Sequence, residues 1–433
     1  MRRHFIFGVV LLAAVAGVLC GKRPFPTHAN GETIVYLPIV RKPGTPPSIF
    51  CPTYTDSTLY RPRANQITVG PADDWMNTIQ NVADDTEILL QDGTYTMSST
   101  VWLWLKNDVT IRGASGNRDA VILQGPGYGL PVHEGFGING RNITIADLTM
   151  TNIRNHAISI KSSAAVEATH VYNVHLVDIG TQHIKGSGSD GIEDGVVACS
   201  RIGYTDGGVQ GDYINGIDIH GAIVWVIRDN EIYNIFGDGS GCEVDLDCGT
   251  YQRGGGPAIL LWNNASGNVV ERNQIIDSFR GIALGFGSGH DGGIVRNNFF
   301  YQSEAQRTVP VGPPITGDMG IQLVTTGNVT VEHNTVILGG SYPGAIEVWN
   351  PGGHVTIRNN LLTAPIWNRG SVSFSDVGNI TDATVADLAT AGDPHVLSGS
   401  RVIGAGVTTT LDHDIDGDER NGRYDVGADQ VVP

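Results

Sequence analysis

Several things are scarce in these 433 residues, and each scarcity removes a class of protein. Charged residues make up 16% and aromatic residues 7%. The 27 basic residues are outnumbered by 44 acidic ones, for a net charge of −17. No basic stripe of the kind that tracks a phosphate backbone is present, which argues against a nucleic-acid partner. There are five cysteines and no Cys-x-x-Cys pair, so a structural zinc site is not expected. Cys242 and Cys248 flank a short acidic loop and could bridge in an oxidising compartment, Cys199 in Val196-Val197-Ala198-Cys199 reads as a buried thiol, and Cys51 lies in the segment leading into the domain. No stretch is both long and apolar enough to span a bilayer.

What is abundant is glycine, 58 of 433 residues, without a Gly-X-Y period. Scattered among Val/Ile-rich runs, it indicates many short strands joined by tight turns. The first twenty residues have the form of an export signal: Arg2, Arg3 and His4, then the apolar run Phe5 to Ala16, with Ala14-Val15-Ala16 as the small-x-small cleavage pattern. A lipid anchor on Cys20 is disfavoured, because Gly17 and Leu19 stand where such a site wants a Leu and a small residue. Residues 1–20 are therefore expected to be a signal peptide of a secreted or cell-surface protein, and residues 21–62, rich in Pro and Gly, a tether. Residues 63–433 are expected to form one domain, with Asp73 to Val82 as its only clear helix: Trp75, Met76, Ile79 and Val82 recur at helical spacing.

Internal repeats decide the architecture. A small-Ile-x-apolar motif recurs at Ile158, Ile217, Ile259, Ile282, Ile321 and Ile346, and an apolar strand ending in asparagine follows at Asn230, Asn273, Asn297, Asn334 and Asn359. Steps between successive isoleucines from Ile217 onward are 42, 23, 39 and 25 residues, and the two long steps contain the insertions Phe236 to Gly255 and Tyr301 to Asp318. The underlying period of about 23 to 25 residues is too short to bury an apolar face alone, but stacked coils can do so. The expected fold is all-β: a single-stranded right-handed parallel β-helix, a solenoid with a short N-terminal capping helix. The asparagines are read as structural, tolerating a left-handed turn and bonding the next coil.

Two stretches carry a family resemblance. Ile67-Thr68-Val69-Gly70, Thr78-Ile79-Gln80, Asp92-Gly93-Thr94-Tyr95 and Thr110-Ile111-Arg112-Gly113-Ala114-Ser115-Gly116 are similar to the N-terminal cap and first coils of the pectate-lyase-like β-helix superfamily. Asp414-Ile415-Asp416-Gly417-Asp418-Glu419-Arg420 with Asp425-Val426-Gly427-Ala428-Asp429 resembles the tail of its secreted bacterial members. The resemblance spans residues 65–433 and speaks to fold more than to activity, since the superfamily contains lyases, hydrolases, esterases, epimerases and non-catalytic surface proteins.

Aligning the coils on the key isoleucine places positions −1, +1 and +3 on the outer face. His183, Lys185, Asp218, His220 and Trp262 then share one patch. The resemblance implies lyase chemistry in which a Lys or Arg removes a proton, commonly beside bound Ca²⁺. Lys185 is thus the expected base, with His220, His183 and Asp218 as further catalytic residues and Asp190, Glu193 and Asp194 as Ca²⁺ ligands. Trp262, Arg280, Gln322 and Trp349 are the expected substrate-binding residues. The expected substrate is an extracellular uronate-containing polysaccharide, taken by a monomer with neither a membrane span nor nucleic acid. Two other readings stay open: a non-catalytic glycan-binding protein, and a polygalacturonase-like hydrolase, which Asn215-Gly216-Ile217-Asp218 and Gly289-His290-Asp291-Gly292 faintly resemble without the required Asp-Asp pair. Asp412, Asp414, Asp416 and Gly417 mimic the start of a Ca²⁺ loop, yet Arg423 falls where its last ligand should be, so a capping turn is expected there.

Overall fold

The computed structural model describes residues 50–128, 131–162, 166–188, 191–205, 214–237, 255–303, 319–338, 344–420 and 422–432. Among them, strands of mostly two to seven residues pair in parallel, each with its equivalent one coil on, in three sheets of 12, 10 and 14 strands. The chain winds as a right-handed parallel β-helix.

The isoleucine column stacks in register: Ile158 pairs with Ile184, then Ile217, Ile259, Ile282, Ile321, Ile346 and Ile366. From Ile158 to Ile346 these side chains are at most 2% exposed. Each such burial contributes about 1.5 to 3 kcal/mol, so the repeated column accounts for a large share of the favourable term. Trp75–Gln80 is the one α-helix among the described residues, shorter than expected; Trp75 and Ile79 cover the first coil, Trp75 meeting the Tyr95 ring edge-on at 5.5 Å.

The asparagines divide two tasks between adjacent residues. The turn residues Asp229, Arg272, Asn297, His333 and Asn359 take the left-handed conformation, with φ from 52° to 59°. The next residue in each coil, Asn230, Asn273, Asn298, Asn334 and Asn360, forms a buried ladder that ends on Asn379. Each side-chain amide donates to the oxygen of the one above at 2.8 to 2.9 Å. That same oxygen accepts the backbone N–H of the residue below. In two coils the ladder residue is thus Asn298 or Asn360, one beyond the asparagine that the repeat alignment selects.

Two segments lie along the outside. Residues 50–62 run over the first sheet, with Tyr54 buried and the Tyr172 hydroxyl donating to the Pro52 carbonyl at 2.7 Å. Cys51 is disulfide-bonded to Cys199, so Cys199 is not the free thiol expected from sequence. By closing a loop of 148 residues this bond contributes on the order of 2 to 4 kcal/mol. Cys242 and Cys248 fall outside the described residues. The C-terminal segment folds back across the second sheet. Leu388, Val396, Val402, Ile415 and Val426 pack there on Phe299, Tyr301 and Leu361, while buried Arg420 donates to the Asn297 side chain at 3.1 Å. Asp414 caps a turn in this segment by accepting the N–H groups of Asp416, Gly417 and Asp418.

Replacing Asn298 by Ala strips the acceptor from both the backbone and the side chain of Asn273. We expect a loss of about 3 kcal/mol in urea unfolding, since buried donors without partners cost about 1 to 3 kcal/mol each. A loss under about 0.5 kcal/mol would show that the ladder decorates the helix and does not hold it.

Candidate active site

Parallel register carries the outer residues of the 14-stranded sheet as faithfully as the inner ones. Beside the isoleucine column runs an outer column: Gly137, Ser159, Lys185, Asp218, Leu260, Ala283, Gln322, Glu347 and Trp367. A second column places His220 next to Trp262, then Gly285, Val324 and Trp349. Lys185, Asp218 and His220 therefore converge because they occupy neighbouring coils.

The Lys185 ammonium contacts Asp218 Oδ2 directly. Its Nζ is also 3.0 Å from His220 Nε2. The indole N–H of Trp262 donates to Asp218 Oδ1 at 2.9 Å. His220 lies against the Trp262 ring, with centroids 4.3 Å apart, and its Nδ1 is 2.8 Å from the Asn263 side-chain amide. Burial, reinforced by the Lys185 charge and opposed by Asp218, lowers the His220 pKa below its ordinary value. The Asn263 side-chain nitrogen and the Lys185 ammonium both face ring nitrogens of His220, so a neutral ring can accept from only one of them. Asp218 is 1% exposed and Lys185 8%, so the ion pair is largely dry, while the His220 side chain keeps 23% of its surface open. The contact is strong in that setting, and removing one partner alone would leave a buried charge.

His183 is not part of this cluster. The strand begins at Ile184, so the alternation that places Lys185 outside does not extend back to residue 183. Its ring is fully buried edge-on to Tyr204 at 4.6 Å, and its nitrogens meet the carbonyls of Asn215 and Gly203 at 3.1 and 2.9 Å. Burial holds its pKa down to about 4. Its place is that of a corner post, and no substrate could reach it there. His290 is likewise buried, bonded to Asn268 at 2.9 Å, and does not face the patch.

Gln322 and Trp349 gather at a second polar cluster farther along the same face. Gln322 donates to Glu347 Oε2, and Arg369 Nη1 donates to Glu347 Oε1 at 3.1 Å. The Arg369 guanidinium covers the Trp349 ring at 3.9 Å. Arg280 stands at the start of its strand opposite Pro257, beside the Phe279 ring. Between the clusters the floor is Leu260, Ala283, Gly285 and Val324.

Of the expected metal ligands, Asp190 lies outside the described residues. Glu193 and Asp194 are exposed at a strand end, with Glu167 in register beside Glu193. Their carboxylates are not gathered closely enough to form a metal-binding group among the described residues. His395, Asp416 and Asp429 form such a group in the C-terminal segment. There Asp393 and Asp416 grip the imidazole and raise its pKa to about 11, so a metal would have to displace a firmly held proton. Asn263 and Arg369 went unrecognised in sequence because both lie in turns, outside the repeat alignment. The exposed pair Trp102 and Trp104, with ring centroids 6.4 Å apart on the first strand of this sheet, was also missed.

Pectate lyase Pel9A superposes on this chain with a TM-score of 0.57 at 13% identity, covering 86% of the chain and 98% of the lyase. The alginate lyase from Paenibacillus sp. str. FPU-7 does so at 0.52 and 16%, covering 72% and 99%. The fold is a pectate-lyase-like β-helix. No family profile and no curated protein matches the sequence. Among the described residues, no helix of this β-helix is long and apolar enough to cross a membrane.

The buried histidines set an acid limit. Burial holds His156, His170, His175, His183 and His290 at about 4 and His333 at about 2. Below the ordinary histidine value of 6.5 the unfolded chain therefore binds more protons, and stability present above 6.5 is lost as the pH falls toward 4. Asp147 and Asp429, raised by burial to about 6, and Asp414, also raised by burial, act in the opposite sense but are three against seven once His220, lowered as well, is counted. Each uncompensated histidine steepens the loss by up to about 1.4 kcal/mol per pH unit. The melting temperature should fall steeply between pH 6.5 and 4.5, and less steeply in His183→Gln. A flat profile over that range would contradict the assignment.

Proposed function

We propose that this protein is a secreted lyase that cleaves a uronate-containing polysaccharide by β-elimination on the outer face of the 14-stranded sheet. The observation that carries this reading is the Lys185–Asp218–His220 cluster, a lysine and a histidine 3.0 Å apart on the outer side of that sheet. Elimination breaks a C–H bond beside the sugar carboxylate, forms a carbon–carbon double bond and expels the glycosidic oxygen, which takes up a proton. The lifted proton is taken up within the Lys185–His220 pair. Asp218 and the Trp262 indole hold the geometry, and Trp262 offers a stacking face for a sugar ring.

In this reading Ca²⁺ would be held by Asp190, Glu193 and Asp194 and would screen the substrate carboxylates. The likeness to a pectate lyase and an alginate lyase supports a polysaccharide substrate, and the Cys51–Cys199 bond fits an oxidising compartment. Hydrolysis is less well supported. Two carboxylates must lie within about 10 Å of each other across the glycosidic bond. From Asp218 the next carboxylate along the outer column is Glu347, four coils away or about 19 Å.

A panel of polyuronates and glycosaminoglycans, assayed with Ca²⁺ and with chelator, tests the reading through the ultraviolet absorbance of the unsaturated product. His220→Ala should lower the rate about 10²- to 10⁴-fold. So should Lys185→Ala combined with Asp218→Asn, which leaves no carboxylate buried without a partner, and both variants should keep the wild-type circular dichroism. If the panel yields neither that absorbance nor new reducing ends, the protein is a glycan-binding surface β-helix and not an enzyme.

A further inference from the structure

The second polar cluster has the makings of a selective anchor. Arg369 follows the strand Ile366–Asn368, and its backbone N–H is fixed by the carbonyls of Val348 and Trp367 at 3.0 and 3.1 Å. Its guanidinium is clamped between the Trp349 ring at 3.9 Å and the Trp367 ring at 5.4 Å. Nη1 is bound by Glu347, which is 1% exposed and is itself held by Gln322. Nε and Nη2, the other edge of the fork, bond no described residue, and 42% of the side chain is open to solvent. A guanidinium locked by packing with two parallel N–H groups facing water is organised to bind a carboxylate in bidentate fashion. If Arg369 served only to neutralise Glu347, it would not need an open edge or a stacked geometry.

We propose that Arg369 is a specificity residue that reads the carboxylate of an acidic sugar at the end of this sheet face remote from Lys185. This rests on the polysaccharide reading above and deepens it. Lys185 and Glu347 are five coils apart in the outer column, about 24 Å, and a pyranose ring is about as long as one coil step. A chain therefore spans both clusters only if it has on the order of five sugars. The protein would accordingly favour polymers over short oligomers, and anionic chains over neutral ones.

Arg369→Lys keeps the charge, and the link to Glu347 can persist, but the fork is lost. Affinity electrophoresis in gels containing polygalacturonate, alginate or a neutral glucan reads binding independently of turnover. The variant should lose about tenfold in affinity for the polyuronate that binds wild type. It should show no change on the neutral glucan, and its melting temperature should stay within a few degrees of wild type. In kinetics, KM should rise for polymer and not for trisaccharide, with kcat unchanged. Equal binding by variant and wild type, or equal losses on acidic and neutral chains, would overturn the role of Arg369 while leaving the Lys185 reading intact. If wild type binds no polyuronate in such gels, both fall together.

Discussion

Parallel pairing of each strand with its equivalent one coil later is the constraint on which everything else depends. Once Ile184 lies over Ile158 and under Ile217, no residue of that sheet can choose its neighbours independently. The same registration that builds the apolar column inside builds the Lys185–Asp218 contact outside. A slip of one residue would reverse both faces at once, which is why the inner column protects the outer chemistry. The asparagine ladder reinforces this from the turn side. Each Asn oxygen accepts two N–H groups from the coil below, so the vertical spacing at the turn is set by hydrogen bonds as well as by strand pairing.

The isoleucine repeat made the coil count and the inner column legible before any coordinates, because a period of about 23 to 25 residues leaves stacking as the only way to bury it. The outer patch was readable for the same reason, and only as far as the strands extend. His183 shows the limit: it precedes the strand by one residue, where the chain is still turning, and its side chain goes inward. Asn297 and Asn359 show a second limit. Both matched the repeat by residue type, yet their neighbours Asn298 and Asn360 make the ladder, since spacing alone does not say which of two adjacent asparagines takes the left-handed turn.

The remaining misses have one physical origin. Cys51 reaches Cys199 across 148 residues, Arg420 reaches Asn297 across 123, and Arg369 sits in a turn with its own backbone geometry. None of these belongs to the repeat, so no periodicity predicts where it lands. The solenoid itself is local and one-dimensional. Segments folded onto its outside are not, and they supply the disulfide and the pinned guanidinium.

The outer face also differs from the simple picture in which outward means exposed. Ser159 is fully buried, Asp218 and Glu347 are 1% exposed and Lys185 is 8% exposed, although all point away from the core. A charged group so placed must be partnered, and each of the three is. Desolvation then shapes the electrostatics as well as the packing. A buried Asp218 holds Lys185 far more rigidly than a solvated one could, and the same burial lowers the His220 pKa, keeping neutral a ring that water would leave partly charged. Between the two clusters Leu260, Ala283, Gly285 and Val324 are buried as well, so this stretch is as dry as the ion pair itself.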